Sequence, residues 1–504
     1  MTPASTTVNR HLLKVDGLAE EPVHSAQCVR IVVDERWAAS RSGQLLASCL
    51  LNLLSRQTEL VGTIQIIAPQ IKSLIALPNG EAAGDFPACL ECIASWAIKR
   101  PATIVILDAT TTTMPEADAT VMIGSNVSAR SGIALFAVGD GWKAWVGSPD
   151  KAPLNLIPDK ANPLGPFLAA ALAAGEIFKR FRGLLRGRFL DCDGYSLWSG
   201  KVSSDWDELE DGPELMGARL RPIHVVGAGA VGNGLAYVLA NAQLAEAFSL
   251  FIDDDTYDDT SLNRCFLAGW QDVEHSKVEA VVATLIKSGV GAYAFPGTIK
   301  QYLNADRSTL PSDVARQADD LAFEIVVSCV DRGTSRQDLQ GLAPTLLFGG
   351  STLGLGARAN FYPNRSGAAC LSCFNPAERE GERLRDLEKK LRGMDKTDRL
   401  AFLCSEGIDP AIVEEYLSAP RCGTVGEAAL RQLASRTVAE FSVGFVSLGA
   451  ALLLAAKLFQ QLLFASPAKR GDVTSLNFKN GGYSDSFLAP DDNCEWGCQR
   501  RRRG

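Results

Sequence analysis

The sequence predicts an α/β protein built from two tandem βαβ halves, with the chemistry in the second. Three observations lead there. From residue 222 the chain reads Pro-Ile-His-Val-Val-Gly-Ala-Gly-Ala-Val-Gly, an apolar strand, a glycine-rich turn and the start of an Ala-rich helix. The next apolar run, Phe248 to Ile252, ends at Asp253, about twenty residues after Gly232. The order of strands and helices from Val29 to Phe181 is echoed after Ile223, in order and spacing without sequence identity.

Taken in order, residues 1 to 27 are polar, lack a clear period and read as a loose arm. Cys28 to Asp34 is a strand, Gly43 to Leu54 an apolar helix ending at Arg56 and Gln57, and Val61 to Ala68 a second strand. Phe86 to Lys99 reads as helix. Ala102 to Asp108, Ala119 to Gly124 and Ile133 to Val138 read as strands, and Leu164 to Phe181 as an Ala-rich helix with a basic end. The loop from Asp34 to Gly43 keeps one glycine and sets carboxylates where a phosphate would sit. The second strand runs into Ala68-Pro69-Gln70, with no acid for a ribose. The first half therefore reads as degenerate. Cys89-Leu-Glu-Cys92 has metal-like spacing, but it sits in an amphipathic helix with no second pair in that half and reads as packed thiols. Residues 184 to 220, with acidic Asp205 to Glu214 and Gly212-Pro213, read as a linker.

In the second half, Gly227, Gly229 and Gly232 let backbone approach phosphate at a helix N-terminus, which supplies N–H donors and a positive dipole end. Asp253 stands where a carboxylate meets a ribose hydroxyl. Asp254-Asp255 follow, then Leu262-Asn263-Arg264 and Asp272-Val273-Glu274-His275-Ser276-Lys277. Two cations so soon after the ribose acid suit a triphosphate better than a dinucleotide. The strand Ile325 to Val330 ends at Asp331, where open α/β sheets keep their ligands and a carboxylate can hold magnesium against phosphate oxygens. Gly349 to Gly354 reads as a close-packed strand or loop beside the nucleotide.

These residues resemble the adenylation domain of the ThiF/MoeB/ubiquitin-activating superfamily, from about 222 to 373 and again from about 420 to 498. The resemblance implies two Rossmann-like adenylation-type domains in tandem: residues 1–205 inactive, residues 206–504 active with an insert at 374–424. It implies that Asp253 binds ribose, that Asp255 lies in the nucleotide site, that Arg264 and Lys277 contact phosphates, and that Asp331 holds magnesium. Ser261, Cys265 and Arg332 depart from the residues usual there, Asn, Gln and Asn. An inactive half is known in that family to pair with an active one. Its positive role would be an arginine reaching the ATP, with Arg36, Arg41 and Arg56 as candidates beside the plainer reading of structural or solvated arginines.

Cys370-Leu-Ser-Cys373 and Cys494-Glu-Trp-Gly-Cys498 supply four thiolates, enough for a closed tetrahedral zinc site that ties the C-terminal segment to the sheet. The superfamily has such a site built from two Cys-x-x-Cys pairs; here the second pair has one more residue between its cysteines. Between the pairs, Pro376 to Ala419 is charged and helix-prone and runs into Arg421-Cys422-Gly423. Cys422 resembles the family's reactive cysteine, and Arg421 beside it favours the thiolate. Cys404 is the second candidate acyl acceptor, although its apolar neighbours suggest burial.

A net charge of −8 argues against general nucleic-acid binding, and the terminal run Arg500 to Arg503 reads as a solvated tail. No basic-then-apolar leader opens the sequence. Phe441 to Ala456 is uncharged but shorter than the roughly 20 residues a span needs, so a buried helix is expected and no membrane partner. Thirteen cysteines without a secretory signal point to a reducing, cytoplasmic setting. The resemblance implies ATP-dependent activation of a ubiquitin-like protein: acyl adenylation, a thioester on Cys422, then transfer to a ubiquitin-conjugating-type protein, as in Bil-type antiviral operons. The cofactors implied are ATP, Mg2+ and Zn2+. Three alternatives stay open: an adenylating enzyme for a sulfur-carrier protein, an NAD-dependent oxidoreductase, and a non-enzymatic scaffold. Whether the paired halves dimerise again, giving a homodimer, also stays open.

Overall fold

The computed structural model describes residues 10–13, 26–81, 84–99, 101–107, 115–124, 132–153, 155–184, 189–306, 308, 323–331, 333–363, 367–374, 382–419, 424–435, 441–464, 470–494, 496 and 498. One strand order occurs twice in it. The first sheet holds β1 (Gln27–Val33), β2 (Val61–Ile67), β3 (Thr103–Ile106), β4 (Ala119–Ile123), β5 (Ile133–Asp140), β6 (Lys143–Gly147), β7 (Cys192–Ser196) and β8 (Val202–Ser203), in the order β3-β2-β1-β4-β5-β6-β7-β8. The second holds β9 (Ile223–Val226), β10 (Phe248–Asp253), β11 (Gly291–Pro296), β12 (Ile325–Ser328), β13 (Leu346–Leu353), β14 (Gly356–Pro363), β15 (Val473–Asn477) and β16 (Gly482–Ser486), in the order β11-β10-β9-β12-β13-β14-β15-β16. In both sheets the first five strands of that order are parallel and the rest antiparallel.

The parallel centres follow from composition. Ile223, Val225 and Val226 are all buried, as strands covered on both faces require. From β9 the chain pairs to β10 on one side and later to β12 on the other, with Val226 level with both Ile252 and Ser328. That reversal opens a crevice at the carboxyl ends of β9 and β12, the ligand position of open α/β sheets.

Both sheets share one apolar core with the helices Arg41–Ser55, Leu164–Phe181, Ala230–Asn241 and Gly444–Leu462. Gly444–Leu462 is long and apolar enough to cross a membrane, yet 89% of that window is buried inside the fold. It packs on the helices Leu164–Phe181 and Ala230–Asn241 and on β13 and β14, as expected of a core helix. Phe167 stacks on Tyr237 at 4.5 Å between ring centroids, and Phe178 meets Phe445 at 5.3 Å. A buried Glu176–Lys179 ion pair at 2.5 Å sits on the same seam, where the Lys179 ammonium also donates to the Lys479 carbonyl. Tyr195 donates to Gly481 O and Gln460 to the carbonyls of Leu197 and Trp198, so main-chain groups are satisfied across the seam as well.

Residues 375–440 form a separate compact unit. Its helices Glu382–Gly393, Lys396–Ser405, Pro410–Ser418 and Val425–Ser435 bury Leu391, Leu403, Val413 and Leu430 in a small core of their own. Asp395 and Asp409 cap two of them through side-chain bonds to free N–H groups.

Four expectations need correction. The supposed linker holds β7 and β8, which extend the first sheet; Cys192-Asp-Gly-Tyr-Ser carries too little apolar alternation to announce a strand. The supposed loose arm contains a turn of helix at Arg10–Leu12 whose His11 is 1% exposed. Cys404 is exposed, because the helix Lys396–Ser405 turns the adjacent Leu403 to the core instead. Cys89 is buried as expected of a packed thiol, but Cys92 points outward.

Candidate nucleotide site and cysteine cluster

The glycines of the β9 turn have different jobs. Gly227 has φ +98°, and a Cβ there would lie 2.8 Å from the Cys329 backbone, so two main chains meet closely at this point. A Cβ on Gly232 would lie 2.0 Å from Gly227 O, which locks the turn onto the helix. Gly229 caps the helix Ala230–Asn241, and a Cβ on it would meet nothing within 4 Å. Two glycines thus serve packing. The third faces open space at a helix N-terminus, the setting for a bound phosphate.

Asp253 closes the turn from β10. One carboxylate oxygen accepts the Ala228 N–H at 2.5 Å and the other the Asp255 N–H at 2.9 Å. Burial holds its carboxyl above the usual range, against these N–H bonds and the charge of Lys277. Lys277 begins the helix Lys277–Lys287 and pairs with Asp255 at 2.7 Å. Burial works against its ammonium, but Asp255 and Asp253 outweigh that and raise its pKa.

Arg264 follows the turn Ser261–Asn263 and donates to Thr260 O and to Asn263 Oδ1 at 2.9 Å. Ser261, standing where the resembling family has Asn, donates both its hydroxyl and its N–H to Asp258 at 2.7 Å. Burial opposes ionisation of Asp258, yet the bonds from Ser261 and Thr260 hold its carboxyl below the usual value. Cys265 is buried. Asp331 lies exposed just past β12, where Arg336 donates to the neighbouring Val330 carbonyl. The glycine turn, Asp253, Asp255 and Lys277 are thus joined by direct bonds, while Asp331 stands at the third strand end of the same sheet edge. Cys422, Arg421 and Arg332 lie outside the described residues.

Of the three candidate arginines, two are bonded to main-chain carbonyls and one is exposed. Arg36 is exposed beside its own strand end. Arg41 donates to the carbonyls of Leu74 and Asn241. Arg56 is buried and donates to the carbonyls of Leu262 and Phe266. Sequence reasoning missed His11, whose Nδ1 lies 3.1 Å from Asn263 Nδ2 and whose Nε2 lies 3.0 Å from Glu59. Nor did it flag Asn233, which accepts the Leu267 N–H and donates to Tyr257. Neither residue belongs to a spacing pattern; only the folded chain brings them to the loop.

The equivalent crevice of the first sheet is filled. After β1, Asp34 caps a single turn of helix, Glu35–Ala38, and Trp37 is 2% exposed. A Cβ on Gly124, at the end of β4 with φ +70°, would lie 1.8 Å from the Trp37 ring. The indole therefore lies against the end of the neighbouring strand, at the switch point. This is a steric reason for degeneracy, beyond the missing glycines.

Cys370, Cys373, Cys494 and Cys498 converge, with their sulfurs all within 4.8 Å. The separations are 3.8 Å for Cys370–Cys373, 3.5 Å for Cys370–Cys494 and 3.7 Å for Cys494–Cys498. A tetrahedron with Zn–S of about 2.3 Å has edges of about 3.8 Å. The spacing fits a four-thiolate zinc site, and the extra residue in the second pair is absorbed. Burial pushes the Cys498 thiol up to about 11, and a bound cation would supply the charge that favours its thiolate. The cluster is anchored to the helix Gly333–Gly341: Ser372 and Trp496 both donate to Gln337, and the Leu371 N–H donates to Gln340. That helix begins two residues after Asp331.

Comparison with known proteins places these features. The pattern of the ThiF family matches residues 218–494, and that of the BilD N-terminal domain matches residues 28–187. The uncharacterized protein y4jF of Sinorhizobium fredii (strain NBRC 101917 / NGR234) is 25% identical over 242 residues, which span 48% of this chain and 43% of that protein. Two crystal structures of E. coli MccB, with MccA-N7isoASN and with selenomethionine MccA, are also similar. They give TM-scores of 0.34 and 0.35 at 14% and 16% identity, covering 55% and 56% of this chain and 66% and 67% of theirs.

Proposed function

The chain belongs to the ThiF family, and we propose that it activates the C-terminus of a ubiquitin-like protein at the expense of ATP. The observation that carries this reading is Gly229, an open-faced helix N-terminus framed by Asp253 and the Asp255–Lys277 pair. The phosphates rest at the Ala230–Asn241 helix end, and Asp253 accepts from the ribose. The terminal carboxylate of the partner attacks the α-phosphorus. A C(O)–O–P bond forms, the bond to the β-phosphate oxygen breaks, and pyrophosphate leaves. Lys277 and Arg264, released from Asp255 and from Asn263, neutralise charge on the phosphates. Asp331, just past the end of β12 on the same sheet edge as Asp253, would hold magnesium, which supplies charge neutralisation when bound. The Cys422 thiolate then attacks the acyl carbon and AMP leaves, giving a thioester for transfer to a conjugating-type partner. The four-cysteine cluster holds zinc as a clamp without an open position.

Cys404 remains a second acceptor because it is exposed in the 375–440 unit. Pyrophosphate exchange into ATP, run with the ubiquitin-like protein of the same gene neighbourhood, tests the reading. Exchange should be lost in Asp331→Ala and kept in Cys422→Ala and Cys404→Ala. A thiol-sensitive adduct should vanish in one cysteine variant only. Exchange without an adduct in any chain would reduce the function to adenylation. No exchange with a folded, zinc-bound chain would favour a scaffold.

A further inference from the structure

The first half is chemically empty at its own crevice, yet it grips the loop that carries Arg264. Arg56 lies at the end of the helix Arg41–Ser55 and is 2% exposed. Its Nη1 donates to Leu262 O at 2.6 Å, its Nη2 to Phe266 O at 3.4 Å, and its Nε to Asn52 Oδ1 at 2.8 Å. Asn52 Nδ2 also donates to Phe266 O, at 3.2 Å. The guanidinium lies 5.5 Å from the centroid of the Trp96 ring, and a Cβ on Gly269 would lie 2.5 Å from the Trp96 indole nitrogen. One cation of the first half therefore bridges the two carbonyls that flank Asn263, Arg264 and Cys265.

This arrangement is costly unless it does something. The guanidinium is fully buried, and among the described residues its hydrogen bonds go to Asn52 Oδ1 and to the Leu262 and Phe266 carbonyls, with the Trp96 ring beside it. Burial pulls its pKa down to about 10, so it stays charged at neutral pH. Its planar fork reaches Leu262, Phe266 and Asn52 together, which a lysine ammonium on a single flexible stem does not.

We infer that Arg56 is a positioning residue for the nucleotide site, fixing from the first half the turn that aims Arg264 at phosphate. The inference rests on the nucleotide reading above. It makes the degenerate half a working part of the active one, and it predicts a defect in ATP affinity that exceeds any loss of stability.

The test uses full-length chains: wild type, Arg56→Lys, Arg56→Met and, as a control for buried polar loss elsewhere in the first half, Glu176→Gln. ATP dissociation constants are measured by titration calorimetry at a temperature where melting curves show every chain folded. Loss of a charged bridge to two carbonyls should weaken ATP binding roughly tenfold or more in Arg56→Met. Arg56→Lys should recover part of it, and Glu176→Gln should bind ATP as wild type does despite a lowered melting temperature. Equal ATP affinity in wild type and Arg56→Met overturns the inference and leaves the nucleotide reading standing. So does equal weakening in Arg56→Met and Glu176→Gln, which would mark a general structural effect. A wild-type chain that binds no ATP overturns the nucleotide reading and this inference with it.

Discussion

At the end of β1 the chain turns through Asp34-Glu35-Arg36-Trp37; at the end of β9 it turns through Gly227-Ala228-Gly229. The two strands hold the same place in the same strand order. Beyond that the turns part. In the first, Trp37 packs against Gly124 at the end of the neighbouring strand. In the second, Gly229 faces open space and Asp253 braces the turn through Ala228. A shared topology supplies the same strand ends to both halves, and the turn that follows the strand, plugged by Trp37 in one and open at Gly229 in the other, sets them apart. The plugged half contributes instead through its seam with the other: the Glu176–Lys179 pair, the Phe167–Tyr237 stack and the Arg56 bridge.

The comparison can be broken at several points, beginning with the largest expected effect. Among the described residues, a four-cysteine cluster lies in the second half and none in the first, so Cys370→Ser or Cys494→Ser should lose about one bound zinc per chain and several kcal/mol of stability. Cys92→Ser, on the exposed face of the first half, should stay within about 0.5 kcal/mol of wild type. Metal analysis and chemical denaturation read both; a zinc content unchanged in Cys494→Ser would refute the site. Trp37→Ala should cost about 3–5 kcal/mol in the same denaturation experiment, since a buried indole leaves a cavity. It should create no second nucleotide site, because no open glycine turn or ribose acid lies there. Asp331→Ala should reduce pyrophosphate exchange by on the order of 10²–10³-fold with an unchanged melting temperature, because this carboxylate is exposed.

The smallest effect lies on the seam. Lys457 donates to Gly471 O beside Asp485, and burial pulls its ammonium down to about 8 from 10.5. Above pH 8 the unfolded chain binds the extra proton at this position, so the contribution of Lys457 to stability rises with pH until about 10.5. The unfolding free energy of wild type minus that of Lys457→Met should therefore increase between pH 8 and pH 10. A flat difference would show that the lysine is not perturbed.

The parts of this protein that follow a local rule were readable before any fold was seen. The bounds of Leu164–Phe181 are legible because an 18-residue run of mostly apolar and small residues ends in a basic turn. The glycine turn and Asp253 follow from a fixed spacing, and the four cysteines converge as two close pairs allow. What failed was long-range. β7 is stabilised by pairing with β6 and β8 by pairing with β7, which their own polar residues do not reveal. His11 and Arg56 reach Asn263 and the Leu262 carbonyl across more than two hundred residues of chain. Trp37 belongs to no spacing pattern, and its role as a plug depends on where Gly124 ends β4. Cys404 was misjudged because helical phase, rather than the apolarity of its neighbours, decides exposure.

The central claim is that one crevice of two binds ATP. Titration calorimetry of ATP with magnesium into wild type, Gly229→Val and Trp37→Ala addresses it directly. One ATP per chain is expected for wild type and for Trp37→Ala, and affinity reduced roughly hundredfold in a folded Gly229→Val chain, whose new side chain fills the space now open at the helix end. Wild-type affinity in Gly229→Val, or two sites per chain in wild type, would contradict it.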